Sequence, residues 1–213
     1  MIAQRINELK SELPPDVKLV AVSKYHTVEE IRLAYNAGQR TFAESRPQEL
    51  AEKARILPED IEWHFIGHLQ TNKIKLILPY VSLVQSVDSL HLLQELDRQA
   101  AVAKKKLECL LEVHISGESS KQGFHPEEIP GIVEDRESFR NIILRGVMGM
   151  ASFSNDESLV RKEFKLLKKV FSDVRAVGFD IISMGMSSDY RIAVEEGTNL
   201  VRIGTSIFGE RKI

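Results

Sequence analysis

Residues 19–43, LVAVSKYHTVEEIRLAYNAGQRTFA, contain one unit in the order strand, cap, helix, glycine, strand. The apolar run Leu19–Lys24 predicts a buried first strand. Thr27, followed three residues later by Glu30, predicts a capping box ahead of a helix. Gly38 is the residue type expected just after a helix end. This stretch therefore predicts a parallel strand–helix unit, which is typical of an α/β fold.

The rest of the chain repeats this alternation. Short apolar runs predict eight strands, at Leu19–Lys24, Arg40–Ala43, Glu62–Ile66, Leu83–Val87, Leu107–Ile115, Ile142–Met148, Ile181–Met184 and Val201–Ile203. After an N-terminal helix, amphipathic segments predict helices at Val28–Ala37, Pro47–Ile56, Asn72–Ile77, Ser89–Ala103, Pro126–Asp135, Asp156–Val174 and Asp189–Glu196. This order predicts an α/β fold of the (β/α)8 TIM-barrel type. The rival is a doubly wound open sheet, which rarely needs eight such units.

Composition and charge favour a protein that binds a small molecule. The chain has 213 residues, of which 43% are apolar and 28% are charged. These values suit one globular domain over residues 1–213 with a sizeable core, and no linker supports a division into two smaller domains. The formal net charge is −2, with acidic and basic residues interleaved. This pattern argues against nucleic acid or a membrane surface as a partner.

The N-terminal segment indicates the cytoplasm, and the single cysteine excludes a disulfide within the chain. Residues 1–6 lack the apolar core of a secretory signal, and no segment approaches the roughly 20 apolar residues that span a bilayer. Cys109 is the only cysteine. No disulfide can therefore form within the chain, and its place in a predicted strand favours a buried structural thiol. We expect a cytoplasmic protein.

Lys24 is the first candidate functional residue. The strands of a parallel barrel place their C-terminal ends at one face, where the active sites of such barrels lie, so an amine at the end of the first strand belongs to that face. At the rim of a hydrophobic core, desolvation disfavours the charged ammonium and exposes a nucleophilic lone pair. Lys24 is thus a candidate for Schiff-base formation, although its position alone also suits a solvated strand end.

A second candidate site lies in the predicted loops after strands seven and eight, the usual phosphate site of these barrels. Gly185 and Gly204 allow backbone N–H groups to approach an anion closely. The hydroxyls of Ser187, Ser188 and Thr205 can donate further hydrogen bonds, although singly these residues suit helix caps and turns. The sequence therefore predicts an anion site on the same face as the amine.

An amine and a phosphate site at one barrel face suit a phosphorylated aldehyde, and pyridoxal 5′-phosphate is the commonest cofactor of this kind. A class I aldolase acting on a sugar phosphate would use the same two features. Its lysine usually lies on a middle or later strand, so a lysine on the first strand favours the cofactor.

Four segments carry a resemblance to a known family: AVSK at 21–24, WHFIGHLQTNK at 63–73, SMGMSSD at 183–189 and VRIGTSIFG at 201–209. They resemble the pyridoxal phosphate homeostasis proteins, the YggS/PROSC family, over nearly the whole chain. That family is similar to the barrel domain of bacterial alanine racemase but lacks its additional β-domain. The resemblance implies an alanine racemase N-terminal-domain-like barrel with a role in intracellular pyridoxal phosphate homeostasis.

The resemblance also implies roles for individual residues. Lys24 would form the internal aldimine with pyridoxal phosphate. Ser187, Gly204 and Thr205 would hold the phosphate, and Arg202 would face the pyridine nitrogen.

One segment departs from the family pattern. Where the family usually has Gly-Glu-Asn after the second strand, this chain has Ala43-Glu44-Ser45. Serine is shorter than asparagine and carries a hydroxyl in place of an amide, so we leave Ser45 out of the expected site.

Arg202 bears on whether the chain is an enzyme. An arginine cannot accept a proton near neutral pH, so beside the pyridine nitrogen it would donate a hydrogen bond and keep that nitrogen unprotonated. The ring is then a weak electron sink, which disfavours transamination and decarboxylation. Racemisation needs a second acid–base group, which in the racemases comes from the additional domain of a partner chain, and none follows before Ile213. We expect a carrier or buffer of pyridoxal phosphate without efficient catalysis; the alternative is an amino-acid racemase of low activity.

The expected partners are pyridoxal phosphate and, for its transfer, pyridoxal phosphate-dependent apoenzymes. We expect a monomer, because no dimer-forming extra domain is apparent. His64 and His68 are four residues apart but straddle a predicted strand end, where this spacing does not bring two imidazoles together, so no metal site is expected. Lys121, in the loop after the fifth strand, either attracts phosphate or is a solvated loop lysine.

Overall fold

Eight parallel strands form a closed barrel in the computed structural model, which describes residues 1–117, 122–174 and 176–210. The strands follow one another around the barrel in chain order, and β8 pairs with β1 to close it. They are β1 (Lys18–Val22), β2 (Thr41–Glu44), β3 (Glu62–Phe65), β4 (Val81–Val87), β5 (Leu107–Val113), β6 (Ile142–Gly149), β7 (Ile181–Ser183) and β8 (Leu200–Ile203). The predicted (β/α)8 barrel is confirmed, and the open-sheet alternative is wrong because the two outer strands pair with each other.

The helices lie between the strands, as the sequence pattern predicts. They are α1 (Ile2–Glu12), α2 (Val28–Asn36), α3 (Pro47–Ile56), α4 (Ile74–Ile77), α5 (Leu90–Val102), α6 (Ile129–Glu134), α7 (Glu157–Asp173), α8 (Tyr190–Glu195) and α9 (Thr205–Phe208). Short 3₁₀ turns precede α4 and α6, at Thr71–Lys73 and Pro126–Glu128, so two predicted helices begin as tighter turns. Helix α9 was not predicted, because its four residues are too few to show a helical period.

The local signals of the first unit are present in the structure. The Thr27 hydroxyl accepts the Glu30 N–H at 3.2 Å, and the Glu30 carboxylate accepts the Thr27 N–H at 2.9 Å. Gly38 follows the helix with a φ of +84°. The predicted capping box and the predicted C-terminal glycine of α2 are therefore both confirmed.

The barrel wall separates two kinds of apolar packing. One large cluster fills the space between the outer faces of the strands and the helices. Two smaller clusters consist of alternate strand residues and fill the barrel interior, because successive side chains of a strand point to opposite faces. They contain Val20, Val22, Ala43 and Leu200 in one case, and Leu83, Leu110 and Met148 in the other.

The pairing of β1 with β8 brings together the two ends of the chain. Val20 pairs with Arg202 and Ala21 with Ile203. The segments that follow, from Val22 towards Lys24 and from Ile203 towards Thr205, therefore leave the barrel side by side at its C-terminal face, which we call the mouth. In the part of the chain that the structure describes, no helix has the length and apolar character required to cross a bilayer.

Candidate functional site at the barrel mouth

Lys24 lies in a turn at the mouth, two residues beyond the end of β1 rather than within the strand. Ser23, which precedes it, is completely buried, and Lys24 itself is half-buried. The chain turns after Ser23, whose carbonyl accepts the His26 N–H at 3.1 Å. The Ser23 hydroxyl and the Tyr25 N–H donate to side chains of neighbouring elements. Lys24 thus stands at the rim of the barrel, as predicted, on a turn held from both sides.

Gly204 joins this turn to the last strand. A Cβ at Gly204 would lie 3.2 Å from the Val22 carbonyl oxygen, closer than ordinary van der Waals contact allows. Glycine therefore lets the β8 end approach the β1 end, two residues before Lys24. The two candidate regions found in the sequence, the amine and the anion site, meet at this contact.

Ser187 lies at the centre of the candidate anion site. Its Oγ accepts hydrogen bonds from the backbone N–H groups of Gly204, at 3.3 Å, and Ser206, at 3.4 Å. Backbone N–H groups that converge on one oxygen suit an anion, since they carry partial positive charge and cannot titrate. The Thr205 side chain is exposed beside them, and Ser188 is exposed as well. Ser206 is a donor that sequence reasoning missed, because only the short helix α9 turns its N–H towards Ser187.

Gly185 shapes the loop that carries Ser187. Its φ is +96°, and a Cβ there would lie 2.6 Å from the Ala193 Cβ and 3.0 Å from the Tyr190 Cα. Only glycine accommodates both the left-handed backbone and the contact with α8. The Gly185 carbonyl also accepts the Arg202 N–H at 3.0 Å, which ties this loop to β8.

Arg202 is buried in the barrel interior, with 4% of its surface exposed. Its Nη1 donates to the Ser183 Oγ, and its Nη2 donates to the Gly149 carbonyl at 3.0 Å. Burial lowers the pKa of Arg202 to about 10, with Glu112 opposing the shift. The guanidinium therefore stays charged at neutral pH and is fixed in position by two strands.

A hydrogen-bonded chain continues from Arg202 across the barrel. The Ser183 Oγ donates to the Gln85 Oε1 at 2.7 Å, and the Gln85 amide nitrogen lies 2.8 Å from the His64 Nδ1. Arginine can only donate hydrogen bonds, so the Ser183 hydroxyl accepts from Arg202 and donates to the Gln85 carbonyl oxygen. The Gln85 amide nitrogen then donates to the His64 Nδ1, which must accept. Burial lowers the pKa of His64 to about 3. His64 is therefore neutral, with its proton on Nε2, an inference that sequence reasoning alone did not provide.

Glu112 is a second buried ionisable group in the interior. It lies on β5, is 8% exposed, and shares the inward face with Leu110. Burial, followed by the charge of Asp88, raises the pKa of Glu112 to about 7, and Arg202 opposes the shift. No signal in the sequence marks Glu112, because its role depends on the strands that surround it.

A group of charged side chains lies beneath the Lys24 turn and was also missed. It consists of Glu44, at the end of β2, with Glu49 and Lys53 of α3. Burial raises the pKa of Glu44 to about 7, against the lowering effect of the Lys53 charge. The one available signal was the four-residue spacing of Glu49 and Lys53, which by itself indicates an ordinary surface pair.

The two histidines considered as metal ligands have different partners. His64 faces Gln85 in the interior, whereas the exposed His68 has its Nδ1 3.0 Å from Asp88. Within residues 1–117, 122–174 and 176–210, no group of three or more His, Cys, Asp or Glu is arranged to hold a metal ion. Cys109 is completely buried, and burial raises the pKa of its thiol. This agrees with the structural thiol that its position in a strand predicts.

Two further expectations concern single residues. Ser45, which replaces the usual asparagine, is half-buried after β2, and its carbonyl packs against Gly67, where a Cβ would lie only 2.2 Å from the oxygen. Lys121 lies outside the described residues.

Comparison with known proteins starts from the fold. The family model described as "Alanine racemase, N-terminal domain" matches residues 1–212. The alanine racemase of Bartonella henselae has a TM-score of 0.77 at 16% identity; the match covers 100% of this chain and 60% of that chain, and shows the fold alone. The protein is thus of the alanine racemase N-terminal-domain class.

Closer relatives define the family within this class. The pyridoxal phosphate homeostasis protein of Pseudomonas aeruginosa is 37% identical over 214 residues, covering 99% of this chain and 93% of its own. That of Schizosaccharomyces pombe is 36% identical, covering 92% and 85%. PipY of Synechococcus elongatus, solved with PLP bound, has a TM-score of 0.88 at 34% identity, covering 98% of this chain and 100% of its own. The chain belongs to the pyridoxal phosphate homeostasis protein family.

Proposed function

We propose that this chain binds pyridoxal 5′-phosphate at the barrel mouth and acts as a carrier or buffer in its homeostasis. The observation that carries the proposal is the close approach of Gly204 to Val22, which brings an anion site next to the turn that bears Lys24. The names of the relatives and the PLP-bound PipY structure support the choice of cofactor. On this proposal, residues 1–213 work as one pyridoxal phosphate-binding domain.

The residues present fit the cofactor. When bound, pyridoxal 5′-phosphate supplies an aldehyde, which condenses with a primary amine and releases one water. Lys24 supplies that amine from a half-buried turn. Ser187, Gly204 and Thr205 hold the phosphate, and the convergence of two backbone N–H groups on the Ser187 hydroxyl supports this assignment.

Arg202 limits what the bound group can do. We assign its guanidinium to the side of the pyridine nitrogen. A guanidinium can donate a hydrogen bond but cannot accept a proton, so it keeps that nitrogen unprotonated. Its two strand contacts and its burial support a rigid placement. Carbanion chemistry is then poorly stabilised, so we propose binding without efficient catalysis.

Transfer of the cofactor completes the proposal. We propose that pyridoxal phosphate-dependent apoenzymes receive it from the Lys24 amine in the cytoplasm, and that the carrier is a monomer. Size-exclusion chromatography with light scattering tests the last point, and a dimer at micromolar concentration would contradict it.

Borohydride reduction after addition of pyridoxal phosphate, followed by peptide mass spectrometry, tests the binding site. We expect one adduct, on Lys24, together with a new near-ultraviolet or visible absorption band. Lys24→Ala should lose both signals. Lys18→Ala is the matched control, because Lys18 lies at the opposite end of the same strand and is paired with Glu62 on the surface. An adduct that persists in Lys24→Ala contradicts the proposal.

Two further assays of the same protein distinguish the alternative functions. Incubation of the loaded protein with L-alanine in deuterium oxide should show no α-proton exchange above background, whereas a racemase would exchange it. A class I aldolase would instead be trapped by borohydride with a sugar phosphate and no pyridoxal compound.

A further inference from the structure

We propose that the ion cluster beneath the Lys24 turn, formed by Glu44, Glu49 and Lys53, is a positioning device that aims the Lys24 amine. We call these three residues the Lys53 cluster. The inference rests on the proposed function, since it concerns how Lys24 is presented to the cofactor, and it assigns a role to residues that do not touch the cofactor themselves.

Lys53 anchors the residue that precedes Lys24. Its Nζ donates to the Ser23 carbonyl at 2.8 Å, to the Glu44 carboxylate at 2.8 Å and to the Glu49 carboxylate at 2.6 Å. An ammonium has three protons, so these three bonds use all of them. The side chain is 7% exposed, so water hardly competes for them. A buried ammonium with three fixed partners holds the Ser23 peptide in one place.

The two carboxylates hold the turn at two further points. The Ser23 hydroxyl donates to the Glu44 Oε1 at 2.6 Å, and the Tyr25 N–H donates to the Glu49 Oε1 at 2.7 Å. The backbone is thus bound to the same three-residue cluster immediately before and immediately after Lys24. The backbone is therefore fixed on both sides of the Lys24 Cα, and this fixes the direction of the Cα–Cβ bond.

The backbone at Tyr25 shows that this hold is needed. Its φ is +68°, in the left-handed region that a bulky residue seldom adopts. Such a conformation persists only when surrounding contacts enforce it. The hydrogen bond from the Tyr25 N–H to Glu49 is one such contact, and the Arg46 guanidinium stacked 4.4 Å from the Tyr25 ring centre is another. Without Glu49 the turn can relax, and the amine loses its fixed direction.

The cluster and the anion site belong to different elements. The cluster joins β2 and α3 to the β1 end, whereas Ser187, Gly204 and Ser206 belong to the β7 and β8 ends. Loss of the cluster should therefore slow covalent capture by Lys24 and leave anion binding intact. A general loss of stability would reduce both.

The test measures the rate of adduct formation with pyridoxal phosphate by stopped-flow absorbance in wild type, Glu49→Gln and Glu49→Ala. The glutamine retains a carbonyl for the Tyr25 N–H but loses the charge opposite Lys53, and alanine loses both. Lys53→Met is a third variant; if it fails to fold, the Glu49 series decides. Lys169→Met is the control, because Lys169 and Asp173 form an exposed pair of the same four-residue spacing on α7.

We expect capture to slow at least about tenfold in Glu49→Ala and by less in Glu49→Gln, because a small misalignment of reacting groups is enough to slow a reaction by this much. The melting temperature should fall, because Glu49→Ala removes one of the three partners of the buried Lys53 ammonium. The inhibition constant of inorganic phosphate should nevertheless stay at the wild-type value, and Lys169→Met should match wild type in every property. Capture at the wild-type rate in Glu49→Ala overturns the inference. An equal loss of capture rate and phosphate affinity also overturns it.

Failure of the proposed function has a different signature. In that case wild type itself forms no adduct on Lys24, whatever the state of the cluster.

Discussion

The two sides of the barrel mouth are formed by different kinds of chemical groups. The amine side, Ser23, Lys24 and Tyr25 over the Lys53 cluster, is held by charged side chains in a buried ion network. The anion side, which consists of Gly185, Ser187, Gly204, Thr205 and Ser206, is formed by backbone N–H groups, hydroxyls and glycines.

On the proposed function, the difference follows from the group that each side presents to the cofactor. A flexible lysine needs a backbone that is fixed in direction, and the hydrogen bonds of Lys53, Glu44 and Glu49 to the residues on either side of Lys24 can fix it. An anion is held well by N–H groups that point at it, and these require close backbone approach rather than charge. The anion side is therefore visible in the sequence as glycines and serines, whereas the support of the amine side is not.

The largest effect is expected from Gly185→Ala, which breaks the anion side alone. The positive φ and the 2.6 Å approach to Ala193 should together lower the free energy of unfolding by about 3 kcal/mol. Gly178→Ala is the control, since its φ is +79° but no atom lies within 4 Å of the added Cβ; we expect about 1 kcal/mol there. Urea denaturation measures both values.

The same variant also tests whether the anion side and the amine side act separately, when its reactions with pyridoxal phosphate and with pyridoxal are compared. Gly185→Ala should weaken the binding of pyridoxal phosphate but leave the reaction of Lys24 with pyridoxal, which lacks the phosphate, nearly unchanged. Equal losses with both aldehydes would mean that the two sides are not separable.

A change of pH acts on the amine side through Glu44 and on the interior through Glu112, and the effect expected from each group alone is smaller than that of Gly185→Ala. Burial raises the pKa of both carboxyls to about 7. Between pH 4.5 and 7 the folded protein therefore retains protons that the unfolded chain releases, so the free energy of unfolding falls as pH rises through this window. The fall is at most about 3 kcal/mol for each group.

Denaturation curves of the cofactor-free protein across this range test the prediction. Glu44→Gln and Glu112→Gln should each flatten the dependence, and the double variant should flatten it further. A wild-type stability that rises from pH 4.5 to 7 would contradict the prediction.

The smallest effect is expected from Ser183→Ala, which cuts the hydrogen-bonded chain that runs from Arg202 to His64 in the barrel interior. It leaves the Arg202 Nη1 and the Gln85 Oε1 without their shared hydroxyl in a buried site. We expect a loss of about 2 kcal/mol in the free energy of unfolding. Ser82→Ala is the matched control on β4, where an exposed serine donates to the Trp63 carbonyl, and it should lose less than about 1 kcal/mol. Equal losses in the two variants would contradict a special role for the chain.

Much of the fold could be predicted because barrel strands are buried on both faces and therefore appear as apolar runs. All eight strands lie where these runs predict them, with ends that differ by no more than two residues. The differences matter at Lys24. The apolar run includes Lys24 in the strand, but it lies beyond the strand, because the chain turns after Ser23, whose carbonyl accepts the His26 N–H at 3.1 Å.

The site could be predicted only in part. Lys24, Ser187, Gly204 and Thr205 have residue types that suggest their chemistry, and their roles with pyridoxal phosphate remain predictions. Glu112 and Gln85 have no such signal, since a polar residue within an apolar strand gains meaning only from the side chains across the barrel.

The sequence by itself determined the alternation of strands and helices, the amine, the glycine-rich loops and the family resemblance, because these depend on residues close together along the chain. Only the tertiary structure decided that the first and last strands are neighbours, that Lys53 is turned inward beneath Lys24, and that Arg202, Ser183, Gln85 and His64 form one directed chain. Closure of the barrel creates these contacts, since it joins residues from opposite ends of the chain in a space from which water is largely removed.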